Sequence, residues 1–136
     1  KQEHPRMKST PHKFVRLTSL AMTALLITAC QSLENDRNAA LRAHRSIIES
    51  KEAGSYVYLR GAVDGRIAWT EESTVLDVIP QAKIGDDAAI DRVLLVRSTT
   101  PEPVVEAIDV RAMVRNGDMT KNARLEPRDL LYFPRR

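Results

Sequence analysis

The chain has little of the chemistry on which most enzymes and metal proteins depend. It contains one cysteine, three histidines and six aromatic residues among its 136 residues. A single cysteine excludes a disulfide framework within the chain. His4 and His12 lie near the N-terminus, so the part that follows Cys30 has only His44 and cannot form a His-rich metal site or a usual Ser-His-Asp triad. We therefore expect no enzyme, no metal and no cofactor.

A long hydrophobic run is also missing. The most apolar stretch, residues 17–29, contains four serine or threonine residues, whereas a membrane-spanning helix needs about 20 predominantly apolar residues. This stretch follows Lys8, Lys13 and Arg16 and ends just before Cys30. A basic start, a short apolar run and small residues before a cleavage site are typical of a secretory signal peptide.

Cys30 closes the run Leu-Ile-Thr-Ala-Cys, which is similar to the lipobox of bacterial lipoproteins. The resemblance implies a lipoprotein signal peptide at residues 7–29 and a lipid on the thiol of Cys30. The alternative is an ordinary signal peptide cut after Ala29, which would leave a free thiol. Gln31 follows the cysteine in place of aspartate, and in the enteric sorting rule this favours the outer membrane. We expect a lipid-anchored protein on its periplasmic face.

The net charge of the chain belongs largely to this leader. Met7 is the methionine that fits as a start, so we interpret residues 1–6 as an upstream addition. From Cys30 onward the chain carries 16 basic and 17 acidic side chains. This balance gives no reason to expect a nucleic-acid partner.

Residues 31–53 are predicted to form one helix, capped at Asn35 or Asp36 and ended by Gly54. Its apolar positions recur at helical spacing in a narrow stripe, which consists of Ala40, Leu41, His44, Ile47 and Ile48. The stripe indicates either a stalk or a lightly docked helix, with His44 as a packing residue. We define residues 30–54 as the lipidated helical tether.

A change to a period of two at Ser55 predicts that a small domain spans residues 55–136. It opens with strand-like runs at 56–63 and 66–70. The pair between them, Asp64-Gly65, is typical of a two-residue type I′ turn. This turn predicts a hairpin in which Arg60 opposes Trp69.

The predicted register groups candidate ligand-binding side chains on one face of the hairpin: Tyr58, Arg60 and Trp69. An aromatic ring offers a flat apolar surface to a sugar or a protein partner, and Arg60 opposite Trp69 could form a cation–π pair. The alternative is that this face is the core and Trp69 a buried anchor. Arg97, at the end of a later strand, is the fourth candidate, for an acidic glycan.

The remaining elements favour an α+β fold. A short helix with a Thr74–Asp77 capping box should end near Pro80. It is followed by strands at 92–97 and 104–108, a single-turn helix between Asp109 and Gly117 with Val110, Met113 and Val114 inside, and a strand at 130–134. Strands interrupted by one good helix predict a β-grasp-like architecture, a small mixed sheet packed on one helix.

Three segments, residues 57–63, 74–97 and 108–134, resemble in this order the soluble-ligand-binding β-grasp (SLBB) domain of bacterial polysaccharide export lipoproteins. Two departures stand out. Arg128 occupies the place of a glycine in the family's closing motif, so we expect a turn there that a non-glycine residue can adopt. The export domain that normally precedes the β-grasp domain is replaced by the short helical tether.

The resemblance implies a non-catalytic accessory component of capsule or exopolysaccharide export. Its partners would be the polysaccharide or other export subunits, and its free sheet edge could join copies into a homo-oligomer. The alternative function is a periplasmic small-ligand-binding protein that serves a transporter.

Overall fold

The computed structural model describes the backbone of residues 17–50 and 54–136, and side chains from residue 28 onward within those ranges. The predicted upstream addition and the first part of the predicted signal peptide, together residues 1–16, lie outside the described residues. No described helix is long and apolar enough to cross a membrane.

The chain divides into two compact units, residues 1–33 and 34–136. Helix α1, Leu17–Glu49, contributes to both. In the first unit the side chain of Cys30 is exposed.

The predicted start of the tether helix is wrong, and its predicted last residues, 51–53, lie outside the described residues. Helix α1 begins at Leu17 and contains no glycine or proline, so nothing interrupts the helical hydrogen bonds at Asn35 or Asp36. It ends at Glu49, before Gly54, and Ser50 then donates a 2.7 Å hydrogen bond from its hydroxyl to the carbonyl of Ile47.

The second unit contains one mixed sheet of five strands in the order β2-β1-β5-β3-β4. The two ends of the domain meet in its centre, because β1 and β5 pair in parallel, whereas all other neighbours are antiparallel. This arrangement confirms the predicted α+β class with a small mixed sheet. The strands are β1 (Tyr56–Gly61), β2 (Gly65–Ala68), β3 (Val93–Arg97), β4 (Val104–Ile108) and β5 (Leu130–Phe133).

The predicted capping box starts helix α2, Val75–Val78. The carboxylate of Asp77 accepts hydrogen bonds from the backbone N–H and the hydroxyl of Thr74, at 2.8 and 2.6 Å. A 3-10 turn at Ile79–Gln81 contains Pro80 and ends the helical segment, as expected for a residue that cannot donate an amide hydrogen bond.

Helix α3, Val110–Asn116, is also capped as predicted, since Asp109 accepts from the N–H of Ala112 at 2.8 Å. It is longer than the expected single turn. It ends at Gly117, whose φ of 66° is left-handed. Val114 was expected inside but is 65% exposed, because the last turn of α3, residues 114–116, lies at the surface.

The sheet is covered on both faces, whereas the sequence predicted packing on one helix. The larger cluster includes side chains from α2, α3 and alternate sheet residues, among them Val57, Leu59, Val93, Leu95, Leu131 and Phe133. The smaller cluster, on the other face, joins residues 34–49 of α1, here called the docked segment, to Tyr58, Leu94, Val96 and Leu130. The docked segment is therefore a packed layer of the domain rather than a stalk.

Packing of the docked segment follows its predicted stripe. Ala40, His44 and Ile47 are at most 5% exposed. Near the start of the segment, Asp36 lies 3.7 Å from the guanidinium of Arg92, which precedes β3.

The hairpin register differs from the predicted one. Val57 pairs with Ile67 and Leu59 pairs with Gly65, so the connection is longer than the two-residue turn. The difference from the predicted register is an odd number of residues, and an odd shift moves every side chain of β2 to the opposite face. Arg60 stabilises the longer connection with a 2.9 Å ion pair to Asp64 and a 3.1 Å hydrogen bond to the carbonyl of Gly65.

Gly61 is the last residue of β1 and pairs with Phe133, the last residue of β5. Its φ is 101°, and a methyl group in place of its hydrogen would overlap the carbonyl oxygen of Phe133. That oxygen accepts a 2.7 Å hydrogen bond from the N–H of Ala62. Glycine is therefore required by both the backbone conformation and the close approach.

Arg128 precedes β5 with a φ of 71°, which lies in the left-handed region that favours glycine. A non-glycine residue pays about 1 to 2 kcal/mol for this conformation. The N–H of Arg128 donates a 2.8 Å hydrogen bond to the carbonyl of Tyr56, so the strained turn is joined directly to the start of β1.

We predict that Gly61→Ala lowers the free energy of unfolding by at least about 2 kcal/mol, from backbone strain and overpacking together. Urea unfolding followed by circular dichroism measures the change. Gly85→Ala is the matched control, because the nearest atom to its added methyl belongs to the movable side chain of Asp87. Equal stability of the two variants would contradict the close approach of Gly61 to the carbonyl oxygen of Phe133.

Candidate functional site

The structure does not gather the four predicted ligand-binding residues into one surface. Tyr58 is 3% exposed and packs in the cluster beneath the docked segment. Trp69 packs against the larger cluster on the other face of the sheet. The face expected to present Tyr58 and Trp69 together is therefore divided, because the register places them on opposite sides.

Trp69 serves as the anchor that the alternative interpretation described. Its indole Nε1 donates a 2.7 Å hydrogen bond to the carbonyl of Leu125, and its ring packs against the core. A half-buried indole with its donor satisfied contributes to stability through both its area and its hydrogen bond.

Arg60 makes a cation–π contact with Tyr58 and not with Trp69, the predicted partner. Its guanidinium carbon lies 5.8 Å from the ring centre of Tyr58, and Arg66 stands 4.6 Å from that of Tyr56. The pair of Arg60 with Trp69 is not formed, because the two residues do not oppose each other in the observed register.

Arg97 stabilises the turn before β5. Its guanidinium contacts the carboxylate of Asp129, the closest distance being 2.6 Å, and donates to the carbonyl of Arg124 at 2.7 Å. Asp129 is 1% exposed and also accepts from the N–H of Glu126 at 2.8 Å. The hydrogen-bonded carboxylate raises the pKa of Arg97. A glycan could recruit this guanidinium only by leaving the buried carboxylate of Asp129 without its cationic partner, which is costly.

A groove on the domain surface offers a different candidate site. It has a volume of about 510 Å³ and lies between the docked segment and the loop that joins β3 to β4. Pockets that bind small ligands typically measure about 300 to 1,000 Å³. The groove is lined by Arg37, Leu41, His44, Arg45, Ile48 and Glu49 from the helix and by Ser98, Thr99, Glu102 and Pro103 from the loop.

Part of the groove wall is apolar. Leu41 and Ile48 come from the helix and Pro103 from the loop. Ile48 is 37% exposed, although isoleucine is normally among the most buried residues. These side chains offer nonpolar contact to a ligand between the two walls.

His44 joins the two walls of the groove. It is 2% exposed, and its Nε2 lies 3.3 Å from the hydroxyl of Ser98 in the β3–β4 loop. Burial lowers the pKa of His44, an effect that the negative charge of Asp129 partly offsets. The imidazole is therefore neutral at pH 7, and it positions the loop against the helix.

The charged residues of the groove are not engaged with one another. Within the part of the chain that the structure describes, Arg37, Arg45 and Glu49 make no side-chain hydrogen bond or ion pair. The backbone carbonyl of Glu102 accepts a hydrogen bond from the hydroxyl of Thr99, which shapes the loop. Two guanidinium groups thus remain available to a ligand.

A second depression, of about 430 Å³, adjoins the start of α2 and is mainly polar. Its side chains are already used locally. Thr70 and Ser73 hydrogen-bond to each other, and Asp77 accepts from Thr74. The groove is therefore the better candidate site than this depression, because it has apolar walls and charged side chains that are not paired with each other.

Sequence reasoning had found Leu41, His44 and Ile48 as a packing stripe but had not assigned them to a site. The sequence did offer one signal for a site: Arg37 and Arg45 lie four residues before and after Leu41, so they flank the apolar stripe on the helix. The contribution of residues 98–103 could not be seen, because only the fold brings this distant loop to the helix.

Comparison with known proteins adds no assignment. No protein-family model matches the chain, and no curated protein matches it either.

We predict that Trp69→Ala lowers the free energy of unfolding by about 3 kcal/mol, near the lower end for a core tryptophan because this ring is half-buried. Trp69→Phe keeps most of the apolar area but leaves the carbonyl of Leu125 without its donor, which should cost about 1 to 3 kcal/mol. Chemical unfolding measures both values. A near-neutral Trp69→Ala would show that the indole is not an anchor.

We predict that His44 makes the domain less stable as the pH falls. The folded state keeps the imidazole neutral, whereas the unfolded chain takes up a proton near its ordinary pKa of about 6.5, so the unfolded state gains protons first. Stability should be complete above about pH 7 and decline below about 6.5. In His44→Gln the decline between pH 7.5 and 5.5 should be shallower. Parallel pH profiles of the two proteins would contradict this assignment.

Proposed function

We propose that this chain is a non-catalytic outer-membrane lipoprotein, anchored through Cys30 on the periplasmic side, that assists polysaccharide export. Its domain, residues 55–136 with the docked segment, acts as an SLBB-type β-grasp module that binds glycan or other export subunits. The action is contact rather than bond cleavage.

The observation that carries the proposal concerns the two ends of the parallel β1–β5 pair. The SLBB resemblance places glycines at the positions of Gly61 and Arg128. Both positions have a positive φ, 101° and 71°. The turn before β5 thus has a backbone conformation that favours glycine, although the residue there is arginine. This agreement between the backbone and the family's glycine positions supports the resemblance.

The architecture provides further support. A mixed sheet with its first and last strands paired in parallel at the centre, and a short helix after the first hairpin, is compatible with a β-grasp domain. The exposed thiol of Cys30 is accessible to a modifying enzyme. Two or more acyl chains there would give stable anchoring.

The proposal predicts two results in the source bacterium. Cys30 should incorporate an alkyne fatty acid detectable by click chemistry, and Cys30→Ser should abolish the label. Deleting the gene should reduce surface polysaccharide at least several-fold, with restoration by the wild-type gene and weaker restoration by Cys30→Ser.

Arg42→Gln, an exposed change on the same helix, is the matched control for expression. Normal surface polysaccharide in the deletion strain would contradict a role in export. If uptake of a small nutrient were lost instead, the protein would serve a transporter.

A further inference from the structure

We propose that the groove between the docked segment and the β3–β4 loop binds an acidic oligosaccharide, whose carboxylates pair with Arg37 and Arg45. This inference rests on the proposed function and names its site and ligand class. The site differs from the hairpin surface predicted from sequence.

The two guanidinium groups of the groove are available to a ligand. Five other arginines of the domain already pair with carboxylates of the chain: Arg60, Arg92, Arg97, Arg111 and Arg135. Arg37 and Arg45 have no such partner among the described residues. An unpaired arginine beside a cavity is suited to a carboxylate, which its planar guanidinium can bind through two hydrogen bonds.

The spacing of these two arginines favours a ligand with more than one acid group. They lie eight residues apart on one helix, which corresponds to about 12 Å along its axis. A single carboxylate cannot bridge that distance. A chain of sugars that carries more than one acid group can contact both arginines at once.

The groove lining between the two arginines is mixed, with apolar and hydroxyl side chains. Leu41 and Ile48 provide apolar contact for the C–H faces of sugar rings. The hydroxyls of Ser98 and Thr99 already contact His44 and the carbonyl of Glu102, but both residues are exposed and their oxygens can still accept hydrogen bonds from sugar hydroxyls. A fatty acid would leave these hydroxyls unused, and a simple inorganic anion would leave the apolar wall uncovered.

The acidic residues of the groove allow a test of whether the ligand is anionic or cationic. Glu49 and Glu102 lie in the same lining and should repel an anionic ligand. Neutralising Glu102 should therefore strengthen binding of an acidic saccharide, whereas it would weaken binding of a cationic one.

The test is isothermal titration calorimetry of the full chain in detergent, with tri-galacturonate as the probe and its fully methyl-esterified trimer as the neutral counterpart. We expect tri-galacturonate to bind at least tenfold more tightly than the ester, and more weakly as salt rises. Arg37→Gln combined with Arg45→Gln should reduce its affinity at least tenfold. Arg42→Gln, outside the groove on the same helix, should change it less than twofold, and Glu102→Gln should increase it.

Equal binding of the acid and the ester, or an unchanged affinity in the double variant, would overturn the inference, as would a complete absence of binding. Thermal unfolding of each variant controls for a folding defect, and Arg37→Lys with Arg45→Lys, which keeps the charge, should retain part of the affinity. Failure here is distinguishable from failure of the proposed function. Fatty-acid labelling at Cys30 and loss of surface polysaccharide on gene deletion would persist if only the groove assignment were wrong.

Discussion

Burial of both faces of the inner strands is the constraint on which the rest of the structure depends. All four residues from Val93 to Val96 in β3 are buried, and a strand buried on both faces needs a packed layer on each side. The short helices supply one layer, and the docked segment supplies the other. Because the docked segment occupies the face of Tyr58, that face is unavailable as a binding surface, and accessible space appears at its margin instead.

The sequence was sufficient for features that depend on local chemistry. The Asp77 capping box, the Asp109 cap and the left-handed Gly117 each require residue types that occur at fixed spacing, so α2 and α3 could be predicted from their neighbours alone. Strands β3 and β4 were equally evident as runs between turn residues. These elements lie where the pattern places them because few alternatives compete with them.

The sequence was insufficient where pairing decided the outcome. Asp64-Gly65 is a strong turn signal, yet Arg60 contacts both of these residues and stabilises a longer connection. The parallel partner β5 also fixes where β1 ends, through Gly61 against Phe133. A local motif could not reveal this distant contact, and the resulting odd shift was enough to assign Trp69 to the wrong face.

The two walls of the groove also connect ligand binding to the packing of the docked segment. One wall belongs to that helix and the other to the β3–β4 loop, and in the described residues His44 and Ser98 join them through a 3.3 Å contact. A ligand that touches both walls binds the docked state in preference to an undocked one. At a concentration one hundred times its dissociation constant, it would stabilise docking by about 2.7 kcal/mol. By reciprocity, any partner that pulls the helix from the sheet would weaken binding in the groove. The packing of this helix on the sheet and the occupancy of the groove would therefore be coupled.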